Sequence, residues 1–168
     1  VSDLSVVVLD RERHRRLVTD IRSTGARIRL IPDGDLSAGI SAAVRGTGVH
    51  AVMGTGGAPE GVLAAAAMRC LGGEIQARLV AVDGTQRKRL TDLGYSDLAK
   101  IYTTEDLAPG ERLLFSCTGV TDGELLRGVR FFGGGSRTST LLMSLESGIV
   151  RFVDTIRREE TGSPIQVR

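Results

Sequence analysis

The residue types able to do chemistry gather in four short polar clusters. Asp10-Arg11-Glu12-Arg13-His14 sets two guanidinium groups two positions apart. A guanidinium offers paired donors to phosphate oxygens, so Arg11 and Arg13 could clamp a phosphate. Asp33-Gly34-Asp35 places two carboxylates around a glycine, a pattern suited to sugar hydroxyls or a cation. Gly54-Thr55-Gly56-Gly57-Ala58-Pro59-Glu60-Gly61 reads as a tight turn running into a helix. Its glycines let a ligand approach the main chain. Pro59 suits the first helical turn, where its missing N–H costs nothing. The free N–H groups of that turn favour an anion, and Glu60 is stabilised there by the helix dipole. Thr118-Gly119-Val120-Thr121-Asp122-Gly123 adds two hydroxyls and a carboxylate.

Each cluster also has a purely structural account. Arg11 and Arg13 fit a solvated helix start, and Asp33 and Asp35 fit an N-cap beside a turn. The glycine stretch fits a turn with a dipole-compensating Glu60, and Asp122-Gly123 fits a simple turn. His14 reads as a structural or surface residue rather than a base, and His50 has no partner in the sequence. Two phosphate motifs are excluded. A P-loop needs Lys-Ser/Thr after its last glycine, and a dinucleotide fingerprint needs glycine where Pro59 stands. A nucleotide-binding Rossmann domain is therefore a weak alternative.

The elements that must hold these clusters follow from hydrophobic periodicity. Strands are expected at 5–9, 27–31 and 49–53, and helices at 13–23, about 37–44 and 62–71. The first three clusters each follow a strand and precede a helix. Open α/β sheets bind ligands outside the carboxyl ends of their strands. If the three strands are parallel neighbours, all three clusters share one rim. The second half is richer in strands, at 74–82, 112–118, 129–132, 139–145 and 148–156, with a short helix at 86–93. Turns are expected at Gly133-Gly134-Gly135 and Glu146-Ser147-Gly148. The order predicts one α/β domain over 1–157, with a mixed, largely parallel sheet flanked by helices, and a polar C-terminal tail over 158–168.

Composition narrows the function further. Among 168 residues, 22 Lys and Arg oppose 20 Asp and Glu, a formal charge of +2. That balance argues against a dedicated duplex binder, and 4% aromatics with no Trp argues against a single-strand stacking platform. No nucleic-acid partner is expected. No stretch nears the ~18 apolar residues of a membrane helix, so no membrane partner is expected either. Glycine is 22 of 168 residues, well above the usual share of about 7%, so the surplus must serve turns and close approaches. Cys70 and Cys117 lack metal-ligand spacing and read as free thiols of a cytoplasmic protein. The chain opens on Val1 and enters an apolar run within a few residues, as a piece of something longer would.

Four ordered blocks bring a family into view. The stretch from Gly56 to Ala67, followed by Arg69-Cys70-Leu71-Gly72-Gly73, closely resembles class II fructose-1,6-bisphosphatase. So do Asp10 to His14, Leu30-Ile31-Pro32-Asp33-Gly34-Asp35, and Thr118 to Arg130, in the same order. The resemblance runs from about residue 4 to 153. It implies a lithium-sensitive sugar phosphatase with an inositol-monophosphatase-like fold. Such enzymes hydrolyse the 1-phosphate of fructose 1,6-bisphosphate to fructose 6-phosphate in gluconeogenesis, using Mg²⁺ or Mn²⁺. Some members also accept sedoheptulose 1,7-bisphosphate.

By that resemblance Glu60 is a metal ligand and Gly57 lies against the substrate. Arg11, Glu12 and Arg13 match the segment holding the far phosphate, and Asp33, Gly34 and Asp35 match the loop gripping the sugar. A homo-oligomer, dimer or tetramer, is implied as well. The family's remaining metal carboxylates and its catalytic groups lie in an N-terminal half, in a D…E…DPxDG(S/T) pattern that does not occur here. Asp83-Gly84-Thr85 lacks the preceding Asp-Pro and comes after the glycine loop. The chain is thus expected to be the C-terminal, substrate-binding half, with no catalytic residue of its own, inactive alone and dependent on the missing half. A non-catalytic sugar-phosphate-binding module is the alternative.

Overall fold

Val6, Val7 and Val8 set the first layer, because a β-branched run with no polar side demands burial on both faces. All three are buried, at the middle of β1 (Ser5–Leu9). A computed structural model describes residues 1–158, so all of the expected tail except Arg158 lies outside the described residues. Strand β1 pairs in parallel with β2 (Arg27–Ile31) on one side and β3 (Ala51–Val52) on the other. A 3-10 turn at Glu12–His14 leads into α1 (Arg15–Ser23), whose Leu17, Val18 and Ile21 pack on Val6 and Val8. Val7 faces the opposite way, toward Ala38 of α2 (Asp35–Ala43). The parallel sheet is therefore covered on both sides.

Helix α3 (Ala58–Leu71) lies against α2 and carries the main core onward. Ala65 and Ala67 are fully buried, so the alanine run lets its neighbours come close. Ala67 and Met68 meet Ile40 of α2 and Phe115, Leu141 and Met143 of a second sheet. That sheet is antiparallel throughout. Its central strand β6 (Gly135–Ser144) pairs with β4 (Leu114–Thr118) and β5 (Arg130–Phe132) along one edge and with β7 (Ile149–Arg158) along the other. The layers run α1, parallel sheet, α2 with α3, antiparallel sheet.

The expectation of one largely parallel sheet is corrected: among the described residues there are two sheets of opposite kinds. Short turns join β5 to β6 and β6 to β7, and such turns can only produce antiparallel neighbours. The strand expected at 74–82 is corrected too. That segment makes only an isolated bridge, Ala77 to Tyr102. Val80 and Val82 are exposed, so no layer stands ready to bury an alternating face. The short helix is present as α4 (Gly84–Asp92), where Asp83 accepts the Gln86 N–H at 2.7 Å. Helix α5 (Thr104–Leu107) was not anticipated, although Thr103 and Asp106 form a capping box whose spacing is visible in the sequence. Among the described residues no helix is long and apolar enough to cross a membrane.

The segment between β4 and β5 closes on itself. Gly123 N–H donates to Leu126 O at 3.0 Å and Val129 N–H to Val120 O at 3.1 Å. Leu125 and Leu126 then pack against the main core. A Cβ on Gly119 would overlap the Arg127 carbonyl, and one on Gly128 would sit 2.6 Å from the Thr121 carbonyl carbon. Gly119→Ala is expected to cost about 3 kcal/mol, the upper range for forced overpacking. Urea unfolding of the full-length protein measures it, and an unchanged midpoint would show that the loop yields freely.

Candidate functional site

Parallel pairing of β1, β2 and β3 brings the carboxyl ends of all three strands to one rim. The order β2-β1-β3 also makes a switch point. The chain leaves β1 toward α1 on one face, and after β3 it enters α3 on the other, the arrangement at which open α/β sheets bind ligands. The three clusters that the sequence placed after strands stand along that rim.

Two side chains join the loop after β1 to the loop after β3. His14 is only 2% exposed. Its Nδ1 lies 2.8 Å from Leu9 O, and its Nε2 accepts the Thr55 N–H at 2.8 Å. Arg13 Nε donates to Thr55 O at 2.9 Å. The sequence left His14 between a structural and a surface role, and the structure places it inside. Nothing in its spacing marks it, because its partners are backbone groups brought close only by strand pairing.

The glycine loop also meets the loop after β2. A Cβ on Gly56 would stand 3.4 Å from the Asp35 carboxylate. Gly34 takes a left-handed φ of +85°, a conformation glycine adopts without penalty, and turns the chain into α2 with Asp35 in its first turn. Asp35 accepts the Leu36 N–H at 2.9 Å. At the start of α3, Gly57 offers no side-chain cap, and the Glu60 carboxylate folds back over it so closely that a Cβ on Gly57 would collide. Asp35, Gly56, Gly57 and Glu60 thus form one polar corner.

The remaining residues face two separate hollows. Arg11 lines a hollow of about 290 Å³ on the α1 side with Arg15 and Arg22. Its Nη1 donates to Asp10 O at 3.0 Å, and Glu12 pairs with Arg15 at 2.7 Å on the surface. Asp33 lines a cavity of about 400 Å³ together with Arg29, Thr118, Asp122 and Glu124. There the Arg29 guanidinium meets Glu124 as a fork, both bonds 3.0 Å, leaving its buried Nε unpaired. This pair, 95 residues apart, escaped the sequence reading.

Asp122 stands beside that cavity and organises its wall. It accepts the Gly128 N–H at 3.0 Å and takes Arg130 Nη2 on both oxygens. The Arg130 bond first, and the Gly128 N–H next, hold its carboxyl below the usual range. A carboxylate whose folded pKa is lowered stabilises fully above the ordinary value of about 4 and loses that contribution as pH falls through the folded value. The protection factor of the Gly128 amide, its exchange divided by the intrinsic rate at each pH, is therefore expected to fall only in that acid window. A fall already near neutral pH would show that Asp122 does not hold the loop. Cys70 and Cys117 are half-buried free thiols, and burial pushes both up, away from the reactive thiolate.

The donor set does not build a metal centre alone. Among the described residues no three His, Cys, Asp or Glu gather around one point. Glu60 supplies one carboxylate to the corner, whereas Mg²⁺ takes near-octahedral oxygen coordination. What the rim offers is grip: guanidinium groups, helix N–H groups and carboxylates facing outward from rigid strand ends.

Comparison with known proteins agrees with the four ordered blocks. Residues 1–157 match the family described as bacterial fructose-1,6-bisphosphatase, glpX-encoded. Relatives named D-fructose 1,6-bisphosphatase class 2/sedoheptulose 1,7-bisphosphatase include one from Synechococcus sp. (strain JA-3-3Ab), 52% identical over 98% of this chain and 51% of its own length. Those from Crocosphaera subtropica and Synechocystis sp. are each 48% identical, over 100% and 99% of this chain and 52% of their own. The chain spans about half the length of the curated relatives it matches.

Proposed function

Because the chain belongs to the glpX-encoded bacterial fructose-1,6-bisphosphatase family, we propose that it is the substrate-gripping half of a sugar-bisphosphatase. The parent enzyme hydrolyses the 1-phosphate of fructose 1,6-bisphosphate to give fructose 6-phosphate, a step of gluconeogenesis. It also takes sedoheptulose 1,7-bisphosphate, as the names of its relatives suggest. The observation that supports this best is the meeting of three loops at one rim. Arg11 and Arg13, Asp35 beside Gly56, and Glu60 over Gly57 all stand at the ends of adjacent parallel strands.

In this reading Arg11, Glu12 and Arg13 form the segment that holds the remote phosphate. Arg13 spends Nε on Thr55 O and keeps its terminal nitrogens for ligand. Asp33, Gly34 and Asp35 grip the sugar, and the Gly57 backbone lies against it. Fixing the non-reacting end of the substrate helps the chemical step as well as binding, because remote contacts orient the reacting phosphate. The enzyme depends on Mg²⁺ or Mn²⁺, with Glu60 as one ligand and the other ligands, together with the catalytic groups, supplied from outside these 168 residues. This half alone is inactive, and the whole enzyme is a dimer or tetramer.

The test is phosphate release by the full-length protein from both bisphosphates, with and without Mn²⁺ and Li⁺. Metal-dependent release from fructose 1,6-bisphosphate is expected. No release from either sugar would remove the reading. The absence of a metal-holding cluster among the described residues favours a second reading, a non-catalytic sugar-phosphate-binding module. Calorimetric binding of the bisphosphate without phosphate release would select it.

A further inference from the structure

We propose that His14 is a positioning residue, whose Nδ1-protonated ring holds the glycine loop, and through it Glu60, in register with the rim. The polarity of its two bonds carries this. A backbone N–H can only donate, so Nε2 must offer Thr55 a lone pair. A carbonyl can only accept, so the ring's hydrogen sits on Nδ1 and points at Leu9 O. Two bonds of opposite polarity fix the tautomer and the plane of the ring together.

The ring's placement gives that fixation a consequence. Leu9 ends β1, and Thr55 follows β3, the strand paired beside it. His14 therefore ties one strand's end to the loop that leaves its neighbour. The ring packs closely on the loop, for a Cβ on Gly54 would meet its Cε1 at 3.0 Å. Arg13 takes the carbonyl of Thr55, whose N–H His14 already holds. Thr55 is thus gripped at both ends, two residues before Gly57, where the Glu60 carboxylate rests. A shift of the Thr55 peptide moves Gly56 relative to Asp35 and the start of α3 with it.

Only the kinetic arm of the test rests on the phosphatase reading. The first arm is long-range ¹H–¹⁵N correlation on histidine-labelled full-length protein, with His14→Gln used for assignment. His14 is expected to show a bare Nε2 and a protonated Nδ1. His50, whose Nδ1 accepts the Ser5 N–H at 3.1 Å, gives the opposite pattern in the same spectrum. A His14 protonated on Nε2 would overturn the proposal whatever the enzyme does.

The second arm compares two amides. Gln can place an acceptor near the position of Nε2, while the shorter Asn reaches only the position of Nδ1. His14→Asn is expected to lower kcat by about 10- to 100-fold, as misplaced catalytic geometry does, and His14→Gln to recover most of it. Equal losses that merely track the two unfolding midpoints would mean the ring only fills space, and would overturn the proposal. If the unsubstituted protein releases no phosphate, the functional reading fails, and the tautomer alone still decides the role of His14.

Discussion

Glu60→Gln in the full-length protein is expected to cut turnover of fructose 1,6-bisphosphate by at least about 100-fold, because in the proposed function Glu60 is the charge that helps hold the metal. KM should change by less than about threefold, because the loss falls on the transition state rather than on ground-state binding. Gln preserves the shape that folds back over Gly57, so the loop and the helix start stay in place. What goes is the negative charge in the first turn of α3. Removing it does nothing to repel an anionic substrate. Steady-state kinetics at saturating Mn²⁺ separates the two constants. Unchanged turnover there would take Glu60 out of the metal site.

The second large effect concerns binding. Arg11→Ala is expected to raise KM for the bisphosphate by about 10- to 100-fold. A hydrogen bond to a charged group is worth roughly 1.5–3 kcal/mol, and each 1.4 kcal/mol is tenfold. Folding should not suffer, since among the described residues the one bond of the Arg11 side chain is to Asp10 O and lies at the surface. The fall in kcat/KM should exceed the rise in KM, because remote contacts also orient the reacting end. Arg11→Lys keeps the charge but loses the planar fork, so its KM should fall between the two. An unaltered KM in Arg11→Ala would remove Arg11 from the clamp.

Much of the fold was legible because its signals are local. The valines of β1 announce a strand buried on both faces, and Leu17, Val18 and Ile21 announce one face of a helix. Pro59 marks the start of α3, and Gly72 with a left-handed φ of +69° marks its end. The segment 74–82 misled for the same reason. Its apolar pattern is a local cue, and whether it becomes a strand depends on a partner that the fold does not provide. Helix α5 was missed because four residues show no periodicity and only the capping pair betrays it.

The candidate site divides along the same line. The amino-acid order alone determined that polar clusters follow three strands, and which chemical groups those clusters contain. Tertiary structure decided which groups face one another. It set Asp35 beside Gly56 and put Asp33 on the wall of the cavity that holds Arg29 and Glu124. It set His14 between Leu9 and Thr55, and Arg29 against Glu124. It also divided the strands into a parallel and an antiparallel sheet. Propensities and caps act over a few neighbouring residues and can be read in order along the chain. Contacts between loops arise from strand order and layer packing, which bring together residues that no local spacing connects.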